Sequence, residues 1–148
     1  MEKVILTNMC MIYDLNNDSI LIEERKKSWK GNAFPGGHVE DKESIVDSVI
    51  REIKEETGLT IKNPKLVGVR DWIEDGTRTV SLLFTTTDFE GSLIDETDEG
   101  RVYWVKRSDL DKLDYAYGFK AQLPLFLENK WSEIFSYEEN GTWKYIFY

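Results

Sequence analysis

The sequence predicts one α/β domain in which a sheet packs against helices. Short segments rich in β-branched and aliphatic residues, typical of strands, recur along the chain, and a strongly amphipathic helix interrupts them. Strands interspersed with helices favour a sandwich architecture. The 148 residues, of which 41% are hydrophobic, suit a single domain over residues 1–148.

The N-terminal part is predicted to contain two strands. Residues 4–13 are rich in β-branched and aliphatic side chains and end at the turn-forming sequence DLNND, after which residues 20–23 resume extended character. Residues 24–32 are polar and form the most cationic segment of the chain. We interpret this segment as a loop that is either solvated or in contact with substrate phosphates.

The next element is a helix that begins after Ser44 and ends at Gly58. Ser44 is a plausible N-cap, and Gly58 can take the left-handed conformation that ends a helix. Apolar residues at i, i+3, i+4 and i+7 form its predicted buried stripe: Val46, Val49, Ile50 and Ile53.

The C-terminal half is predicted to contain further strands and a second helix. Residues 60–64 resemble a turn, and residues 65–73 and 79–87 resemble a β-hairpin. The acidic loop 88–100 leads into a strand at 101–105.

Near the C-terminus, residues 108–113 suggest a helical turn capped by the serine at its start, and residues 121–130 a helix that covers the other face of the sheet. Residues 134–148 hold an Asn-Gly pair between aromatic runs, which indicates a hairpin.

The helix belongs to a longer motif, residues 37–59, with the spacing G-x5-E-x7-R-E-U-x-E-E-x-G-U, where U is a bulky aliphatic residue. The matching residues are Gly37, Glu43, Arg51, Glu52, Ile53, Glu55, Glu56, Gly58 and Leu59. Carboxylates on neighbouring helical turns repel one another, and hard divalent cations prefer clustered carboxylate oxygens, so Mg²⁺ or Mn²⁺ is the expected partner. A merely solvated acidic helix face is the alternative, but the glycine turn, Glu43 and Arg51 in register argue against it.

This motif resembles the Nudix box at every specified position. The resemblance implies the Nudix fold, a mixed β-sheet sandwiched between helices, and a metal-dependent hydrolase of phosphoanhydrides. It also implies a set of metal ligands, with a backbone carbonyl oxygen at the first position and a carboxylate from the loop before a later strand at the last: Gly36, Glu52, Glu55, Glu56 and Glu99.

The resemblance further implies catalytic roles for three residues of the motif. Glu52 would act toward the attacking water, Arg51 would orient neighbouring carboxylates, and Glu43 would lie in the outer shell. The sole histidine, His38, lies beside the motif; a solvated turn residue and a general base are both open interpretations.

The sequence around the motif most resembles MutT-type Nudix enzymes, through AFPGGHVE and the small size of the chain. This likeness implies cleavage of 8-oxo-dGTP to 8-oxo-dGMP and pyrophosphate, in nucleotide-pool sanitation. No proline occurs between Pro64 and Pro124, which argues against ADP-ribose and other sugar nucleotides. Dinucleoside polyphosphates, capped RNA ends and a non-catalytic nucleotide sensor are the alternatives.

Candidate substrate-binding residues come from the cationic loop, the segment before the motif and a late aromatic loop: Arg25, Lys30, Asn32, Phe34 and Tyr117. A purine can stack on an aromatic ring and be read by a side-chain amide. Two aromatic strand residues, Trp72 and Phe84, either line a base pocket or fill the core.

Composition excludes several other classes of function. The net charge of −9, from 28 acidic and 19 basic residues, argues against long nucleic acid but not against a nucleotide, since a bound metal can supply positive charge. Cys10 is the only cysteine, so no intramolecular disulfide forms, and its apolar neighbours predict a buried strand position. No membrane span or secretory signal is evident, so the expected location is the cytoplasm. The sequence does not specify an oligomeric state.

Overall fold

The computed structural model describes residues 1–148 and contains twelve strands, two α-helices and two short 3-10 turns. The first half holds β1 (Lys3–Asp14), β2 (Ser19–Arg25), β3 (Gly31–Ala33), β4 (Gly36–His38), α1 (Ile45–Thr57) and β5 (Thr60–Lys62). The second half holds β6 (Lys65–Glu74), β7 (Thr77–Thr86), β8 (Asp88–Glu90), β9 (Glu96–Thr97), β10 (Gly100–Lys106), a 3-10 turn (Arg107–Lys112), a second one (Lys120–Gln122), α2 (Leu123–Leu127), β11 (Glu133–Glu139) and β12 (Thr142–Phe147).

Most strands form one mixed ten-stranded sheet in the order β12-β11-β6-β7-β1-β2-β10-β9, with β3 paired to β2 and β4 to β1. The β1–β7 and β11–β6 pairs are parallel, and the other neighbours are antiparallel. The predicted α/β fold, a mixed sheet between helices, is therefore confirmed: α1 packs on one face and α2 on the other. None of the helices is long and apolar enough to cross a lipid bilayer.

The core lies on both faces of the sheet because successive strand residues point to opposite sides. Cys10 and Ile12 of β1 pack with Val49 and Ile53 of α1 on one face, whereas Met11 belongs to the core on the other. Cys10 is buried, as predicted, and burial raises the pKa of its thiol, which leaves it an inert packing group.

Helix α1 has the predicted ends, and Val49 and Ile53 of its predicted stripe are fully buried, but the stripe departs from the prediction at Val46. The Ser44 hydroxyl accepts a hydrogen bond from the N–H of Asp47 at 3.0 Å, and Gly58 ends the helix in the left-handed conformation at φ 86°. Val46 was predicted to be buried, but 42% of it is exposed. Ser48 is buried in its place, because its hydroxyl accepts a hydrogen bond from the side-chain amide of Asn8 at 2.9 Å.

Three local predictions for the chain after α1 are wrong. Residues 60–62 form β5 rather than a turn, because they pair with β8 and bury Ile61. The 3-10 turn at Arg107–Lys112 has no side-chain cap from Ser108. The predicted helix at 121–130 contracts to α2, five residues long.

The predicted C-terminal hairpin is confirmed. Strands β11 and β12 pair, and β11 adds to the edge of β6. The hairpin therefore extends the main sheet beside the strands that form one wall of the site described next.

Candidate active site

Strand β4 brings two glycines against the carboxylates of α1. The N–H of Gly36 donates to Oε2 of Glu56 at 3.1 Å, and the N–H of Gly37 donates to Oδ1 of Asn8 at 3.1 Å. A Cβ atom on Gly37 would collide with the Glu52 carboxylate, and one on Gly36 with the backbone of Asn8. Only glycine permits this approach of strand and helix.

Arg51 fixes the orientation of the motif by donating to several groups at once. Its Nε and Nη2 bond the Glu43 carboxylate at 3.1 and 2.8 Å, and its Nη1 bonds Glu52 at 3.0 Å. Nη1 also lies 3.3 Å from Glu55, and Nη2 donates to the His38 carbonyl at 3.0 Å. Arg51 is thus occupied in positioning carboxylates and the turn, as the motif predicts for an orienting residue.

The charge of Glu43 is stabilised by two sources of donors. The Arg51 hydrogen bonds, and then the N–H of Glu40, which donates to Glu43 at 2.8 Å, hold the pKa of the Glu43 carboxyl below its usual range. Glu43 remains ionised and keeps Arg51 in place. This geometry agrees with its predicted outer position.

The carboxylates of the motif do not all face the same way. Glu52, Glu56 and Glu99 line one cleft together with Gly36. The side chain of Glu55 is 60% exposed and lies outside that lining, beside Arg51. The structure therefore gathers four of the five predicted metal ligands and leaves the fifth at the solvent side.

The loop that carries Glu99 is tied to the end of β2. The carbonyl of Glu99 accepts a hydrogen bond from the N–H of Lys26 at 3.0 Å, and the N–H of Glu99 donates to the Thr97 hydroxyl at 3.2 Å. These two bonds hold the acidic loop against the site, although Glu99 is more than forty residues beyond Glu56.

Glu23 is a site residue that the sequence analysis missed. It lies on β2 with only 2% of its surface exposed, and neither carboxylate oxygen has a hydrogen-bond partner. Its neighbour is the Glu56 carboxyl, and burial, then the proximity of the two groups, raises the pKa of Glu56; burial also raises that of Glu23. The sequence shows only that Glu23 follows three aliphatic residues, Ile20, Leu21 and Ile22, at the end of a predicted strand; the approach of Glu23 to Glu56 depends on the tertiary structure.

The donor set fits a hard divalent cation. No three acidic, imidazole or thiol side chains are already spaced as a complete metal site, so the fit rests on chemistry and on unsatisfied groups. Every available donor is an oxygen, as Mg²⁺ and Mn²⁺ prefer. The buried Glu23 carboxyl and the half-buried Glu56 carboxyl lie next to each other, and the Gly36 N–H is the only N–H bonded to either. A cation would relieve the repulsion between the two groups.

The cleft has a volume of about 570 Å³ and two ends that differ in chemistry, because β4, which packs against α1, pairs with β1, whereas β6 and β12 lie beyond β7 in the sheet. One is the acidic end just described. The other is the aromatic end, which includes Trp72, Tyr117, Trp143 and Tyr145 and the polar residues Arg70 and Gln122. A single ligand can therefore contact carboxylates at one end and aromatic rings at the other.

Arg70 and Gln122 are the unsatisfied polar groups of the aromatic end. The Arg70 guanidinium lies 4.6 Å from the centre of the Trp72 ring, donates weakly to the Ser136 hydroxyl at 3.5 Å, and forms no ion pair with a carboxylate. Burial lowers its pKa, but arginine stays charged in proteins. The Gln122 side-chain oxygen is buried without a donor.

Three of the five predicted substrate-binding residues line the cleft: Arg25, Phe34 and Tyr117. The Phe34 ring is only 1% exposed and packs edge-on against Phe119 and Phe126, at 4.9 and 4.8 Å between ring centres. Phe34 therefore supports the floor of the cleft, whereas Tyr117 is exposed and free to contact a ligand.

The structure places the other two, Lys30 and Asn32, outside the cleft lining. Lys30 is exposed. The amide of Asn32 is occupied internally: its Nδ2 donates to the Asp114 carbonyl at 2.8 Å and its Oδ1 accepts from the Tyr103 hydroxyl at 2.5 Å. Asn32 thus ties β3 to the late loop.

The sequence left open whether the strand residues Trp72 and Phe84 line a base pocket or fill the core, and the two residues turn out to differ. Trp72 lines the cleft, whereas Phe84 is buried in the core beneath α1. His38 lies exposed at the cleft, where its carbonyl holds Arg51.

Comparison with known proteins gives consistent matches. A family model described as "NUDIX domain" matches residues 6–126. The chain is 38% identical over 104 residues to the uncharacterized Nudix hydrolase YvcI of Bacillus subtilis, covering 67% of this chain and 65% of that protein. It is 34% identical over 107 residues to the ADP-ribose pyrophosphatase of Methanocaldococcus jannaschii, covering 70% and 63%. The chain thus spans just under two thirds of the length of these relatives.

A solved structure extends the likeness to nearly the whole fold. The crystal structure of the MutT protein from Bacillus halodurans superposes with a TM-score of 0.77 at 25% identity and covers 97% of both chains. The likeness includes the C-terminal hairpin, which lies beyond the region that the family model matches.

Proposed function

The chain belongs to the Nudix family, and from that premise we propose that it hydrolyses a phosphoanhydride bond of a nucleoside triphosphate, with 8-oxo-dGTP as substrate and 8-oxo-dGMP and pyrophosphate as products. The observation that carries the proposal is the cleft, which joins an acidic end to an aromatic end. A nucleotide has the same polarity, with charged phosphates at one end and a flat base at the other.

At the acidic end, the residues that would hold Mg²⁺ or Mn²⁺ are Glu52, Glu56, Glu99 and the Gly36 carbonyl, with Glu55 at the solvent side. A bound divalent cation supplies charge neutralisation on phosphate oxygens and lowers the pKa of a water. Arg25, which lines the cleft, would donate to phosphate oxygens through the guanidinium nitrogens that do not bond the Ser28 carbonyl.

Hydrolysis requires that a water oxygen form a bond to phosphorus while the bridging P–O bond breaks and pyrophosphate leaves. The proton of that water needs an acceptor. Glu52 is our candidate, because Arg51 holds its carboxylate at 3.0 Å and Gly37 leaves room for it at the cleft.

At the aromatic end, the unsatisfied groups match the edge of a 6-oxopurine. The Gln122 oxygen can accept from a ring N–H or exocyclic amine, and Arg70 can donate to a ring carbonyl oxygen. Guanine-type bases carry both a donor for Gln122 and a ring carbonyl oxygen for Arg70, whereas adenine has no ring carbonyl. Trp72 and Tyr117 offer faces on which the base can stack.

ADP-ribose is the second candidate, because the M. jannaschii relative, at 34% identity, is an ADP-ribose pyrophosphatase. It contains adenine, which leaves Arg70 without its carbonyl partner. The structural likeness to a MutT protein and the chemistry of the aromatic end both favour the triphosphate.

The test is product analysis with Mg²⁺, in which 8-oxo-dGTP, dGTP and ADP-ribose are offered separately and kcat/KM is compared. We expect the highest value for 8-oxo-dGTP, with pyrophosphate as product. Preferred cleavage of ADP-ribose, or of a dinucleoside polyphosphate added as a fourth substrate, contradicts the substrate assignment. Tight nucleotide binding without any hydrolysis contradicts the proposal that the protein is a hydrolase and identifies it as a nucleotide-binding sensor domain.

A further inference from the structure

Glu23 occupies a position where a charged side chain is costly. It lies in β2, an interior strand of the sheet, opposite Ala33 of β3 and Val102 of β10. Its surface is 2% exposed, and neither of its oxygens accepts a hydrogen bond from a backbone N–H, a hydroxyl or a cationic side chain; the polar group beside it is the Glu56 carboxyl. Buried carboxylates are normally paired or bound to a metal.

The cations near Glu23 do not pair with it. Arg25, two residues along the strand, donates through Nε to the Ser28 carbonyl at 3.1 Å. Arg101 on the neighbouring strand pairs with Glu24 at 3.1 Å. The protein therefore provides no positively charged side chain in contact with Glu23.

Other carboxyls approach Glu23 from two further elements. Glu56 of α1 is its immediate neighbour, with one oxygen of Glu56 bound by the Gly36 N–H at 3.1 Å. Glu52 of α1 and Glu99 of the loop before β10 are close enough to repel its charge. Glu23 lies on a strand of the sheet, whereas the other carboxylates of the group come from α1 and from the loop before β10.

We propose that Glu23 is an additional ligand of the divalent cation, which it binds from the β2 side together with Glu56. This inference rests on the proposed function in one respect: both require a divalent cation at the acidic end. It does not depend on the identity of the substrate. An apolar side chain such as Leu would fill the same strand position without an unpaired charge. The buried carboxylate therefore has a function that packing does not supply.

The experiment measures Mn²⁺ binding without nucleotide, by electron paramagnetic resonance and titration calorimetry, in the wild type and in Glu23→Gln. We expect the variant to bind Mn²⁺ at least about tenfold more weakly, the lower limit for loss of a group that supports a metal site. The matched control is Glu24→Gln, the next residue on the strand, whose side chain faces the other side and pairs with Arg101. We expect Glu24→Gln to bind Mn²⁺ as the wild type does.

Melting temperatures with EDTA and with Mn²⁺ give a second readout. With EDTA, Glu23→Gln and Glu23→Leu should melt no lower than the wild type, because each removes an unpaired buried charge. With Mn²⁺, both should gain less stability than the wild type does.

Wild-type Mn²⁺ affinity in Glu23→Gln overturns the proposal. So does an equal loss of stability with EDTA and with Mn²⁺ in both variants, since that result identifies a purely structural residue. If the wild type binds Mn²⁺ but hydrolyses no nucleotide, the proposed function fails while this inference stands.

Discussion

The two ends of the cleft are built in different ways. The acidic end comes mostly from one continuous stretch, residues 37–59. This stretch contains Gly37 and the helix α1, which carries Glu52, Glu56 and the orienting residue Arg51. The aromatic end is assembled from β6, the late loop and β12, which lie up to about seventy residues apart in the chain. The comparison teaches that the chemistry is encoded locally, whereas substrate selection depends on the whole fold.

The largest expected effect is at the acidic end. Glu56→Gln should lower kcat by more than about 100-fold, because it removes a carboxylate at the centre of the donor set. The melting temperature should not fall. Glu55→Gln is the matched comparison, since Glu55 lies at the solvent side beside Arg51. If both variants retain wild-type turnover in steady-state assays, the assignment of the acidic end is wrong.

Gly37→Ala should also impair the acidic end without touching a charged group. The new Cβ collides with the Glu52 carboxylate and displaces it from Arg51, so we expect kcat to fall by about 10- to 100-fold. Gly141→Ala is the control. It lies in the β11–β12 turn at φ 79° with open space around it, so it should cost about 1 kcal/mol of stability and leave kcat unchanged. Equal kinetic losses in both variants contradict a specific clash at Glu52.

A change at the aromatic end should affect substrate choice rather than turnover in general. Arg70→Met should lower kcat/KM for 8-oxo-dGTP and dGTP by about 10- to 100-fold, the value of a charge-assisted hydrogen bond, with little change for dATP. Gln122→Leu should act in the same direction and by less. Parallel losses on dATP and on the 6-oxopurines would show that Arg70 binds phosphate or supports the wall instead.

The smallest expected effect is on the pH dependence of stability and comes from the ion pair between Arg51 and Glu43. Hydrogen bonds from Arg51, and then from the Glu40 N–H, lower the pKa of Glu43 in the folded state. The pair therefore stabilises the fold above the ordinary carboxyl pKa of about 4.3, and this contribution is lost as the pH falls through the folded pKa. Wild type should be more stable than Glu43→Gln in denaturant titrations at neutral pH, and the gap should close as the pH falls below the ordinary carboxyl pKa and through the lowered folded-state pKa. A gap that does not change with pH refutes an electrostatic origin.

The sequence predicted most of the acidic end because its information is local. The helix ends at Ser44 and Gly58 follow from the residue types there, and the orienting role of Arg51 follows from the resemblance to the Nudix box. The structure has the corresponding geometry. Glu23 was missed because it is separated from the motif and brought to Glu56 only by strand pairing. The exposure of Val46 was missed because the hydrophobic periodicity predicts which residues share one side of the helix, but not how far along the helix the sheet covers that side.

The aromatic end could be predicted only in part, for the same reason. Tyr117 was among the predicted substrate-binding residues and lines the cleft, but Asn32 has an internal tertiary partner that the sequence does not reveal. Arg70 and Gln122 have no local signal at all. Their importance appears only in the fold, which buries the Gln122 oxygen without a donor and leaves the half-buried Arg70 without a carboxylate partner.

The most direct test of the account is a crystal structure with Mn²⁺ and a non-hydrolysable 8-oxo-dGTP analogue, with the metal located by its anomalous signal. We expect the metal at Glu56 and the Gly36 carbonyl, with Glu23 in contact, and the base on Trp72 next to Arg70 and Gln122. A nucleotide bound in the reverse direction, or a metal held away from Glu56, would contradict the assignment of the two ends.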